Sequence, residues 1–222
     1  MNSIPDCIIT GSIETNCWIY QGPEFHALID PGDDAESIIA FLDEKNFVPT
    51  HILLTHGHLD HLAALPELMA HFSALNRRPL IGVHKDDSIY LGSESFAPHV
   101  KCMGAALGDD PGSAEIFVKN LWKPMPDPDI FLNEADTIGP FKVLHLPGHT
   151  PGSLAFYDEE AGVIFTGDTL FNGNYGRTDL PGGSENQLMK SLKRLLSLDG
   201  MVLVCPGHGP VTSIENEAGL LG

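Results

Sequence analysis

The chain has 222 residues with 12 basic and 30 acidic side chains, a formal net charge of −18, and a field of that sign repels phosphate backbones, so nucleic acid is excluded as an expected partner. Its apolar runs are a handful of residues long, far short of the roughly 18 needed to cross a bilayer, and the start MNSIPDCIITGS has no basic stretch of a signal peptide, so no membrane association is expected and the protein reads as cytoplasmic. Cys7, Cys17, Cys102 and Cys205 show no C-x-x-C spacing, and with 42% hydrophobic residues the chain fits one large reduced domain over residues 1–222 rather than a disulfide scaffold.

Three short apolar runs, Cys7–Thr10, Cys17–Tyr20 and Phe25–Ile29, are separated by turn residues and predict an antiparallel meander. After Asp30-Pro31-Gly32, Asp33 or Asp34 can cap a helix over Ser37–Glu44, and a strand follows at His51–Thr55. Leu62, Leu65, Leu68, Met69 and Phe72 recur at helical spacing, which predicts an amphipathic helix over His61–Leu75 before a strand at Leu80–Val83. Gly92–Pro128 holds five prolines and four glycines with no sustained period. It reads as a long insertion, placed as a cap over or beside the site. Strands are predicted at Asp129–Leu132, Phe141–Leu146, Leu154–Tyr157 and Val163–Thr166, then a helix at Glu185–Leu198 and a strand at Met201–Cys205. This order of strands, helix, strands, helix in both halves predicts an α/β fold, a four-layer αβ/βα sandwich of two mixed sheets with outer helices.

The chemistry concentrates at strand ends. Thr55-His56-Gly57-His58-Leu59-Asp60-His61 carries three imidazoles and a carboxylate in six positions, a density that neither a core nor a solvated face selects. In strand register His56 and His58 point the same way, while Asp60 and His61 lie in the turn that opens the next helix, so the group can enclose a small volume from two sides. Two neighbouring metal ions suit that arrangement better than one. Three further candidates share the context of an apolar run followed by glycine: His149 after Pro147-Gly148, Asp168 after Gly167, and His208 after Pro206-Gly207. Each alone reads as a turn. Together they reverse that reading, because ligands in α/β architectures gather outside the carboxyl ends of strands.

His-x-His-x-Asp-His at 56–61, followed in order by His149, Asp168 and His208, resembles the metallo-β-lactamase superfamily, and the resemblance runs from about Asn16 to Thr212. Within it, the blocks Pro147–Ser153, Thr166–Phe171, Gly176-Arg177-Thr178-Asp179 and Pro206–Pro210 look like the bacterial type II glyoxalase-like hydrolases. The resemblance implies a metallo-β-lactamase fold in which His56, His58 and His149 hold one metal, Asp60, His61 and His208 hold the other, and Asp168 bridges. Asp60 and Asp168 are then the catalytic carboxylates. Ala63 and Ala64 depart from the glycine many relatives have, and the short chain after His208 leaves no room for the helices that supply much of the glutathione site in glyoxalase II proper, which counts against glutathione thioesters and leaves the substrate unnamed.

A water held by two such cations has its pKa lowered from 15.7 toward about 7, giving a hydroxide nucleophile without a protein base. No Gly-x-Ser-x-Gly motif competes with that chemistry. Imidazole and carboxylate suit zinc, iron and manganese; zinc is the expected metal, with iron or manganese as alternatives. The leading expectation is a hydrolase of thioesters. A persulfide dioxygenase with one iron, also similar to this chain at Gly176–Asp179, is the first alternative; a lactonase, a phosphodiesterase and a non-catalytic metal-stabilised module complete the set. Arg177 is read as a contact for the carboxylate of a small anionic substrate, against an internal ion pair with Asp179. Tyr175 is placed with it as a substrate contact, and Phe171 beside them. Phe117 and Trp122 read as core. His26, His51, His71, His84 and His99 are read as surface or packed rings, and His145 as core or a support behind the ligands.

Overall fold

A computed structural model describes residues 4–108 and 110–221. Asp6–Thr10 (β1), Thr15–Gln21 (β2) and His26–Ile29 (β3) form the expected antiparallel meander, and His51–Leu53 (β4), Leu80–Val83 (β5) and Ile130–Phe131 (β6) extend it in parallel. The second sheet is built from Thr137–Ile138 (β7), Phe141–His145 (β8), Leu154–Asp158 (β9), Val163–Gly167 (β10), Leu203–Pro206 (β13) and Thr212–Ser213 (β14), in the order β14-β13-β10-β9-β8-β7. A hairpin of Leu170–Phe171 (β11) and Asn174–Tyr175 (β12) projects beyond it.

Side-chain alternation decides the layers. In β3, Ala27 and Ile29 point between the sheets with Trp18, Phe141, Phe156 and Phe165, while Leu28 points outward to Ile38, Leu42, Leu65 and Leu68. Those outward partners belong to Ala35–Glu44 (α1), which Asp34 caps by accepting from Ser37 N, and to Leu65–Ala74 (α2). Glu185–Leu195 (α5) covers the second sheet with Leu188, Leu192 and Leu195 against Leu144, Leu146 and Ile164. The result is the predicted four-layer sandwich.

The segment 92–128 differs from the sequence reading, being largely helical: Phe96–Ala106 (α3) and Pro111–Leu121 (α4) form a hairpin. Two of its five prolines lie at helix starts, where the missing N–H costs nothing: Pro98 sits in the first turn of α3, and Pro111 opens α4 behind Asp110, which accepts from Gly112 N; the other three, Pro124, Pro126 and Pro128, follow α4 in irregular chain. The two helices meet at Gly104 and Ala114, where a Cβ on Gly104 would stand 3.9 Å from Ala114 Cβ, an ordinary packing contact that does not itself require glycine. Ala114 and Val118 are the buried apolar stripe that composition alone concealed. Among the described residues no helix is long and apolar enough to cross a membrane.

Candidate metal centre

Both sheets present loops to one edge. Beyond β4, which ends at Leu53, the chain bends at Thr55 and His56 instead of continuing as strand, and after an extended His58 a single 3-10 turn, Leu59–His61, swings Asp60 and His61 back toward His56. From the second sheet come His149 after β8, Asp168 at the end of β10 and His208 after β13. Gly167 adopts φ +50 directly before Asp168, and a Cβ there would strike Thr55, so the strand end can approach the first sheet only with glycine at this position. Asn16 N donates to Gly207 O at 2.7 Å and Trp18 Nε1 to Pro206 O at 2.9 Å, which pins the β13 loop to β2 across the sandwich.

The ligand atoms of His56, His58 and His149 all lie within 4.8 Å of one another, as do those of Asp60, His61 and His208. His58 Nδ1 and His149 Nε2 are 2.9 Å apart, and His61 Nε2 and His208 Nε2 are 3.2 Å apart. Two ligands of one tetrahedral ion with arms of about 2.0–2.1 Å stand roughly 3.3 Å from each other, so both separations match a shared cation. Asp168 lies between the trios, with Oδ1 3.3 Å from His61 Nε2 and Oδ2 3.6 Å from the Nε2 atoms of both His149 and His208. His56 Nε2 is buried without any hydrogen-bond partner, which a protein tolerates where an ion takes the lone pair. The donor set therefore fits two metal ions.

Behind the ligands sit groups that fix each ring. Asp30 Oδ2 accepts from His61 Nδ1 at 3.0 Å and from Thr55 Oγ1 at 2.6 Å, and its Oδ1 accepts from Thr55 N at 2.7 Å. Thr55 Oγ1 in turn lies 3.1 Å from His56 Nδ1, so one carboxylate orients two ligands. His149 Nδ1 donates to Arg177 O at 2.8 Å, and His208 Nδ1 to Glu14 O at 3.2 Å. Asp87, fully buried, accepts from Gly57 N at 2.9 Å, Thr150 Oγ1 at 2.7 Å and Gly152 N at 2.9 Å, joining the His56–His58 loop to the His149 loop. Sequence reasoning missed both acids. Asp30 had a usable signal, an acid just past an apolar strand and before Pro-Gly, whereas Asp87 in Lys85-Asp86-Asp87 looks like any solvated turn.

Burial, reinforced by the neighbouring imidazoles, pushes His56 well below the usual histidine range and His58 down to about 3, so both stay neutral and able to bind a cation. Burial also opposes charge on His61, but Asp168 and Asp60 outweigh it and raise its pKa well above the ordinary value. In the metal-free protein His61 thus holds a proton that a cation must displace. Because its pKa is raised, that proton is bound more firmly as pH falls, and apparent metal affinity is expected to drop on acidification, by up to about tenfold per pH unit for one proton displaced. Competitive titration with a chromophoric chelator between pH 8 and pH 6 checks this; a flat profile would refute it.

Arg177 forms the ion pair with Asp179, Nε to Oδ1 and Nη2 to Oδ2 both at 2.7 Å, and also borders the space above the ligands. Tyr175 does not join it: it pairs with Leu170 across the hairpin, points to solvent, and lines neither cavity at the ligands. Phe171 takes that place, its ring 6.1 Å from that of His208. His145 donates from Nε2 to Pro151 O, 2.8 Å away, and stacks on His84, a support for the His149 loop. His99 is packed as expected but also borders the ligand cavity, and Phe117 reaches it too, whereas Trp122 packs on Phe96 away from it.

Comparison with known proteins agrees with this geometry. The family model described as the metallo-beta-lactamase superfamily matches residues 11–208. Hydroxyacylglutathione hydrolase GloC of Haemophilus influenzae is 34% identical over 93% of this chain and 91% of its own. Among solved structures, TTHA1623 in a di-iron-bound form superposes with a TM-score of 0.77 at 37% identity over 97% of each chain. The BLEG-1 B3 metallo-beta-lactamase does so with 0.76 at 32% identity over 96% of each chain. With its full ligand series at the shared edge of two sheets and a family match spanning nearly its whole length, the chain belongs to the metallo-beta-lactamase superfamily.

Proposed function

We propose that the protein is a metal-dependent hydrolase of thioesters with small anionic character. The observation that carries this reading is a site with two lobes. One cavity of about 400 Å3 lies over His58, Asp60, His149, Asp168 and His208 and continues between apolar side chains. A second, about 360 Å3, shares Ile13, His149, Asp168, Arg177 and His208 with it and is bordered besides by Phe171 and Gly176. A bond cleaved over the shared residues would leave one product in each lobe, as an acyl group and a thiol require. The hydroxyacylglutathione hydrolase name of a full-length relative supports the thioester.

His56, His58 and His149 would hold one divalent ion, Asp60, His61 and His208 a second, and Asp168 both. Bound there, zinc or iron would acidify a water and polarise a carbonyl. The chain's own contribution is placement. Asp30 and Thr55 keep the ring faces of His56 and His61 fixed, Asp168 sets the spacing of the two trios, and Arg177 offers its free Nη1 donors to an anionic group in the open lobe. The completeness of the Asp60, His61 and His208 trio favours two ions over the mononuclear dioxygenase alternative.

Metal analysis combined with assays on thioesters, lactones and glutathione persulfide tests the proposal. Two equivalents of metal with thioester turnover support it; one iron with oxygen consumption on the persulfide overturns it. Arg177→Ala is expected to raise KM for carboxylate-bearing thioesters about tenfold and leave neutral ones little changed, the loss of a charged hydrogen bond. Equal losses on both substrate types would assign Arg177 to structure alone. Its exposed pair with Asp179 contributes little stability, so the melting temperature should hardly move.

A further inference from the structure

The ligands form only the floor of the larger cavity. Its walls are Leu59 and Leu180 on one side, Cys102, Met103 and Ala106 from one face of α3, and Phe117 from α4. Residues 102, 103 and 106 share a helix face that borders the ligand cavity, and α3 packs on α4 at Gly104 and Ala114. Two polar side chains other than the ligands reach the space. His99 engages the Tyr90 carbonyl through Nε2 at 3.0 Å, and burial holds its pKa near about 4, so it brings no charge. Arg177 stands at the side shared with the open lobe.

Resting on the reading of the site as a thioester hydrolase, we propose that the hairpin-walled cavity is an acyl-chain site that selects unbranched aliphatic acyl groups of medium length. The chain's carbonyl would lie over Asp168 and the ligand trios, its methylenes against Leu59, Met103 and Ala106, and its end against Phe117. A volume of about 400 Å3 falls within the 300–1,000 Å3 of small-molecule sites, far more than an acetyl group fills. The apolar walls give nothing for a hydroxyl-rich acyl group to bond. Continuity with the ligand floor commits the cavity to the substrate rather than to a separate partner.

The test uses S-acyl thioesters of 3-mercaptopropionate with acetyl, butyryl and octanoyl chains, whose carboxylate suits Arg177. Each methylene buried adds up to about fourfold, so kcat/KM for octanoyl should exceed that for butyryl by tenfold or more on the metal-loaded protein. Calorimetry on the metal-free protein should give the same order of binding without turnover. Ala106→Trp, which fills the cavity from α3, should lower the octanoyl-to-acetyl ratio by tenfold or more in both measurements. Equal binding of acetyl and octanoyl compounds to the unmodified protein, or a ratio unmoved by Ala106→Trp in folded protein, overturns the acyl-chain site. No turnover of any thioester, with octanoyl still bound more tightly, overturns the hydrolase reading and leaves the acyl-chain site standing.

Discussion

Asp168→Ala is expected to abolish turnover, by about three orders of magnitude or more, and to reduce the bound metal from two equivalents to one or fewer. Each trio has its own three donors, and Asp168 is the carboxylate within 3.6 Å of ring nitrogens from both. Its loss leaves each ion a donor short and removes the negative charge that offsets two adjacent cations, so the two ions repel across the gap. Asp168 is held ionised. Burial alone would raise its pKa, yet His61 and the other imidazoles outweigh that and bring it down to about 2. Asp168→Asn separates charge from shape: it should retain one equivalent of metal more tightly than alanine does while staying inactive. A milder route leads to the same place. At Gly207 a Cβ would overlap Asp168 Oδ1 and stand 2.7 Å from His61 Cε1, so Gly207→Ala should displace the bridging carboxylate and lower metal content without removing any ligand. Elemental analysis after gel filtration reads all three variants. Two full equivalents in Asp168→Ala would refute the bridging role.

Most of the sandwich was legible from the sequence because alternation and strand length are local properties. Cys17–Tyr20, His51–Thr55, Leu80–Val83, Phe141–Leu146 and Val163–Thr166 each fall on a strand within two residues of its observed ends. The ligand set was legible for a related reason: four members crowd into the six positions His56–His61 after one strand, and His149, Asp168 and His208 each follow a strand of their own directly after a glycine. The hairpin of α3 and α4 was hidden because proline and glycine are read as breakers, and only the fold shows that Pro98 and Pro111 stand at helix starts and Gly104 at a helix contact. Tyr175 was misplaced because one residue along a strand reverses the face, and the hairpin register puts Phe171 rather than Tyr175 toward His208. Supporting acids are harder still. Asp87 meets Gly57, Thr150 and Gly152 from 30, 63 and 65 positions away, and no local pattern encodes such a meeting.

Asp87→Ala is expected to lower stability by about 3 kcal/mol and metal affinity by about 10–100-fold, although the residue is no ligand. The carboxylate is a fully buried junction: Oδ2 accepts from Gly57 N and Thr150 Oγ1, and Oδ1 from Gly152 N. Alanine leaves the buried Gly57 and Gly152 N–H groups without acceptors, each worth about 1–3 kcal/mol and partly recovered where water enters the space, while Thr150 Oγ1 can turn to Ser153 Oγ at 2.8 Å. Gly57 lies between ligands His56 and His58, and Thr150 follows ligand His149, so those bonds set how far apart the two loops stand. Since His58 Nδ1 and His149 Nε2 are held 2.9 Å apart, loosening the junction lets them drift beyond the reach of one ion, and losses of 10–100-fold are typical when such supporting groups are removed. Burial raises the pKa of Asp87 even against its three hydrogen bonds, so its ionisation subtracts from stability as pH rises through that range. The acceptors matter more than the charge. Asp87→Asn, with its carbonyl toward Gly57 and Thr150, keeps two of the three bonds, sets an amide against Gly152 N, and avoids the buried charge. It should therefore fall between wild type and alanine in both stability and metal affinity. Thermal melts of metal-free protein, where 3 kcal/mol corresponds to a drop of about 6–12 °C for a chain of this size, read the structural part; chelator competition on folded protein at low temperature reads the metal part. A stable Asp87→Ala with unchanged metal affinity would show that the two loops are held by their own sheets and that the junction is dispensable.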